Sequence, residues 1–76
     1  MYNYSKLKGK IRELDITLAE FAKILGISEQ TLNLRLQDKR PFKQDEITKA
    51  MKFFNEPVEN IHIYFFTPKV AKNETI

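Results

Sequence analysis

The stretch Thr17 to Leu36, TLAEFAKILGISEQTLNLRL, decides how this chain folds. Thr17 opens a helix as its N-cap. Glu20 stands three residues on, completing a Thr-x-x-Glu capping box. Leu18, Phe21, Ala22 and Leu25 fall on one side of that helix at 3.6-residue spacing. Gly26 ends it, because a residue without Cβ enters the left-handed region at little cost. Ser28 then caps a second helix whose inward residues are Leu32 and Leu36. Ala22 is small where the second helix crosses closely, and Ile27 fills the corner between the two. Two short capped helices, a small residue at the crossing and a glycine at the turn describe a helix-turn-helix.

Outward from that core, Asn3 or Ser5 can cap a first helix running to about Glu13. Its apolar stripe is Tyr4, Leu7, Ile11 and Leu14. After the second capped helix, Gln37 to Pro41 reads as a polar turn, since Pro41 cannot continue a helix. Phe42 and Ile47 form a hydrophobic staple around a fourth helix, Gln44 to Phe54, with Ile47, Ala50, Met51 and Phe54 inward. Lys43 is a poor cap for it. Asp45 and Glu46 compensate near the positive end of the dipole. Asn55 is placed to leave that helix left-handed, and Pro57 to start a short fifth helix from Val58 to about Ile63. Tyr64 to Val70 has strand propensity, but Pro68 argues against a central strand. The expectation is an all-α, five-helix domain over residues 1–70 with a polar tail at 71–76.

Seventy-six residues bury limited surface, so pairing would add stability. There is no cysteine, which excludes disulfides and thiolate metal sites. The longest apolar run, Ile63 to Phe66, is far too short to span a bilayer, and nothing resembles a signal peptide. A soluble cytoplasmic protein without a membrane partner is therefore expected. The formal net charge is +3. Lys6, Lys8, Lys10 and Arg12 come with no acid among them, and Arg35, Lys39, Arg40 and Lys43 come with only Asp38. Such clusters beside a groove-reading helix suit a polyanion. Alternatively, they are solvated surfaces.

Catalysis is poorly supported. The single histidine, His62, has no second histidine or cysteine to build a metal site with. Gly9 and Gly26 are the only glycines, so no phosphate-cradling loop exists, and Ser5 and Ser28 read as caps. No cofactor or small-molecule substrate is expected. Nucleic-acid binding is better supported. A recognition helix puts its first exposed residues against base edges, and here those are Glu29, Gln30, Asn33 and Leu34. Gln30 and Asn33 can pair bidentately with adenine, Glu29 can accept from the cytosine amino group, and Leu34 can touch a thymine methyl. Phosphates would be held by Ser28, Lys39, Arg40 and Lys43, with Lys6 or Lys10 adding to them. The competing reading is the wet face of a surface helix. Leu34 sits about 200° from both Leu32 and Leu36, so it offers a base contact or a protein contact. Tyr64, Phe65 and Phe66 are a further candidate protein interface, for a homodimer, or else pack onto the first and fourth helices.

Residues 5–61 resemble the lambda-repressor/Cro-like helix-turn-helix domains. The resemblance rests on Thr17-x-x-Glu20, Ala22, Leu25-Gly26-Ile27-Ser28, Thr31-Leu32 and a fourth helix after a basic turn. MYNYSKLKGKI, LGISEQTLNLRL, PFKQDEI and IYFFTPKV extend it to small Cro-like proteins of phages and prophages of Gram-positive bacteria. That resemblance implies a five-helix domain that binds double-stranded operator DNA in a lysis–lysogeny switch. It also implies an alternative, a modulator that binds the phage repressor protein itself. Many such relatives carry Arg or Gln where this chain has Leu34, and an aromatic or aliphatic residue where it has Arg35. Leu34 keeps the protein-binding alternative open.

Overall fold

Local signals set the helix boundaries in the computed structural model, which describes residues 2–68. The helices are α1 (Ser5–Glu13), α2 (Leu18–Leu25), α3 (Glu29–Leu36), α4 (Gln44–Phe54) and α5 (Ile61–Phe65), with a 3₁₀ turn at Val58–Asn60 before α5. The Thr17 hydroxyl accepts from the Glu20 N–H at 3.1 Å, and the Glu20 carboxylate accepts from the Thr17 N–H at 2.8 Å. This reciprocal box satisfies two amides that α2 leaves open, worth about 1 kcal/mol. Gly26 then turns left-handed at φ 78°. Ser28 accepts from the Thr31 N–H at 3.1 Å and starts α3 two residues later. Asn55 ends α4 left-handed at φ 57°.

Three points of the sequence expectation are narrowed or changed. At the start of α1 it is Asn3 that works, its side chain accepting from the Ser5 N–H at 2.8 Å, while Ser5 is the first helical residue. Leu14 lies past the end of α1 and is 37 % exposed, so the α1 stripe ends at Ile11. The fifth helix begins as a 3₁₀ turn and runs two residues beyond Ile63. That rotation buries Phe65 at 1 % exposure, whereas Ile61 is only half-buried. The expected domain end at 70 and tail at 71–76 lie outside the described residues.

The core is formed by the inward residues of all five helices. Leu7 and Ile11 of α1 join Phe21, Ala22 and Leu25 of α2, Leu32 and Leu36 of α3, Ala50, Met51 and Phe54 of α4, and Phe65 of α5. α2 packs on α3 and α4, while α1 and α4 pack on α5. Aromatic rings tie the layers together. Phe21 and Phe54 stack at 5.6 Å with planes 1° apart, and Phe42 meets Tyr4 and Phe65 edge-on at 5.3 and 5.0 Å. Phe42 thus fixes the entry to α4 by reaching across to the two ends of the described segment. Those ends also meet each other. Tyr2 and Pro68 form an isolated antiparallel bridge, and the Asn3 N–H donates to the Thr67 carbonyl at 2.7 Å. Pro68 has no N–H to donate to a ladder. Among the described residues the chain is all-helical apart from that bridge. No helix among them is long and apolar enough to cross a membrane.

Candidate nucleic-acid interface

The outward side of α3 follows from the two residues it buries. With Leu32 and Leu36 inward, Glu29 and Gln30 are exposed, Asn33 is half-buried, and Leu34 is 37 % exposed. These four side chains lie on one short helix whose start is fixed by Ser28. The Ser28 hydroxyl is already engaged, accepting from the Thr31 N–H and lying 2.9 Å from the Thr31 hydroxyl. Thr31 therefore belongs to the same polar edge. Sequence reading missed it because the residue sits between the inward and outward stripes.

The basic cluster after α3 divides in two. Lys39, Arg40 and Lys43 are exposed. Arg35 is buried: its Nε and Nη2 donate to the two Glu46 oxygens at 2.9 and 3.0 Å, linking α3 to α4. Arg35 is thus withdrawn from the surface set in which its charge alone would count it. The Glu46 carboxylate also accepts from the Lys43 N–H at 3.0 Å, which satisfies the amide just before α4. Burial pushes the Glu46 carboxyl up, but the hydrogen bonds from Arg35 and Lys43 outweigh it and hold the group below the usual carboxylate range. Glu46 hydrogen bonding likewise raises the Arg35 guanidinium.

The turn carrying Lys39 and Arg40 is shaped by Asp38, which is left-handed at φ 61° and accepts from the Tyr2 N–H at 3.0 Å. The Lys39 N–H returns to the Leu34 carbonyl at 3.0 Å and closes the end of α3. The one acid of this segment is thereby turned toward the chain's N-terminal end, and Lys39 and Arg40 remain outward.

The other residues proposed from sequence are placed less favourably. Lys10 donates to Glu56 at 3.1 Å and lies 3.7 Å from Glu13. The hydrogen bond to Glu56 raises its pKa. It is therefore committed to joining α1 to the segment after α4. Tyr64 is half-buried with its ring 5.6 Å from Phe54, and Phe65 is core, so neither forms an open surface. Of the aromatic trio only Phe66 is exposed, at 44 %, with its ring edge-on to Tyr2 at 5.5 Å. Among the described residues no three His, Asp or Glu side chains converge as metal ligands.

This chain belongs to a family described as protein of unknown function (DUF739), whose model matches residues 1–68. No curated protein matches the chain.

Proposed function

We propose that this protein is a Cro-like transcriptional regulator of a phage or prophage, acting in the bacterial cytoplasm on operator DNA. In this reading α2, the Gly26 turn and α3 are a helix-turn-helix, and α3 is its recognition helix. The observation that carries the reading is the combination on α3. A fixed, capped start presents Glu29, Gln30 and Asn33 outward, and three exposed cations follow within seven residues of its end. Side chains of that kind satisfy the donor and acceptor pattern of base edges, while Lys39, Arg40 and Lys43 supply the phosphate contacts that set register. A module of this size reads one half-site, so a homodimer or a second partner completes the operator.

The test is enrichment of duplexes from a randomised pool, followed by titration of the selected duplex at several salt concentrations. Tight, sequence-dependent binding that weakens steeply with salt is expected. Gln30→Ala should cost about 1–3 kcal/mol of discrimination at one base position. Failure to prefer any selected duplex over bulk DNA would refute the reading.

A second reading is favoured by Leu34 alone. It is an exposed aliphatic side chain amid polar ones on the outward side of α3. As a modulator of repression, the protein would lay this residue against the cognate phage repressor. Leu34→Glu would then abolish a repressor complex while leaving helix content unchanged.

A further inference from the structure

The two basic sides of α1 lead to different surroundings. Lys6 and Lys10 share one side with Glu13 and Tyr64, and Lys10 is neutralised there by Glu56. Lys8 and Arg12 lie on the other side. They line an open groove of about 430 Å³ between α1, the start of α2 and the end of α3, together with Asn33 and Gln37 and the apolar side chains of Ile11, Ile16, Leu18 and Leu36. Both cations are exposed, and neither side chain makes an ion pair or hydrogen bond among the described residues. Two cations and two amides converge on one concavity whose described lining holds no acid.

We propose that this groove holds a backbone phosphate of the same duplex whose base edges α3 reads, with Lys8 and Arg12 as its charged contacts. The proposal rests on the DNA-binding reading and extends its contact surface onto α1. Asn33 carries the argument, because it belongs both to the outward side of α3 and to the groove wall. A duplex held against Gln30 and Asn33 continues over that wall and brings its backbone to Lys8 and Arg12. The amides of Asn33 and Gln37 donate to phosphate oxygens, and the two cations replace the phosphate's counterions. Lys6 and Lys10, the α1 cations that sequence alone favoured, face away from this groove.

The experiment is a salt titration of the selected duplex with the unaltered protein and with Lys8→Ala, Arg12→Ala and Lys6→Ala. All three residues are exposed, and circular dichroism verifies that each variant keeps its helices. Lys8→Ala and Arg12→Ala should each flatten the salt slope by about 1 and weaken selected and bulk duplexes by the same factor. Lys6→Ala should leave the slope unchanged. If the unaltered protein binds DNA and the two groove variants keep its slope, the groove proposal is overturned and the DNA-binding reading stands. Loss of binding to the cognate repressor, with the DNA slope intact, would assign the groove to a protein carboxylate and overturn it equally. If the unaltered protein selects no duplex, both fall together.

Discussion

Arg35→Met tests the side-chain link between α3 and α4 most severely. The Arg35 side chain is 10 % exposed and that of Glu46 3 %, and two hydrogen bonds of 2.9 and 3.0 Å join them. Removing the guanidinium leaves a carboxylate in the interior with only the Lys43 N–H to hold it. Breaking such a buried pair from one side costs about 3–5 kcal/mol. The whole stability of a chain this size is roughly 4–11 kcal/mol. The variant should therefore melt at least roughly 12 °C below the unaltered protein. Restoring an apolar contact removes the uncompensated charge. The double variant Arg35→Met/Glu46→Leu should thus recover most of the loss, because a well-packed hydrophobic pair replaces a buried ion pair at little cost, and should fall short by about 1 kcal/mol for the Lys43 N–H that loses its acceptor. Urea melts of the four proteins in a double-mutant cycle measure this.

The pH dependence gives a second readout of the same pair. Glu46 is held below its ordinary value of 4.5 in the folded chain, so between those values the unfolded state binds more protons. Its contribution is fully present above about pH 4.5 and is lost as the pH falls through the folded value. In Arg35→Met, burial is no longer outweighed by the guanidinium, and protonation relieves the buried charge. The stability gap between the two proteins should therefore narrow as pH drops from 7 to 4. A single variant that costs under about 1 kcal/mol, or a double variant whose loss equals the sum of the singles, would refute the account of Arg35 as a buried partner.

Phe65→Ala should destabilise by about 3–5 kcal/mol in thermal melts, as loss of a core ring, whereas Phe66→Ala should cost no more than about 1.5 kcal/mol. Equal effects would place Phe65 at the surface after all. Gly26→Ala should cost about 1–2 kcal/mol in urea melts because φ is 78°. The added Cβ would lie 3.4 Å from Lys49 Nζ, a flexible tip that can move, so the cost comes from the backbone rather than from a clash.

The helices and their ends were legible in the sequence because the interactions that make them are local. Thr17 and Glu20 are three residues apart, Ser28 and Thr31 likewise, and Gly26 and Asn55 act through their own backbone angles. The inward stripes of α2, α3 and α4 follow from helical spacing, and so does the outward placement of Glu29 and Gln30. At the fifth helix the local signal was weaker. Pro57 marked the start, but a 3₁₀ turn changes the rotation per residue, so spacing alone could not say which aromatic of the Tyr64–Phe66 run turns inward.

What only the tertiary structure decided is which charges remain available. Arg35 and Lys39 look alike in sequence, yet Arg35 meets a carboxylate eleven residues away and leaves the surface. Lys8 and Lys10 are two residues apart. Lys10 is neutralised by Glu56, forty-six residues on, while Lys8 faces an open groove. The closing bridge from Tyr2 to Pro68 joins the two ends of the described chain. The physical reason is range. Capping and helical periodicity act within about four residues and can be read along the chain. A buried ion pair or a shared groove depends on where distant helices are brought together, and that is set by the packing of the whole core.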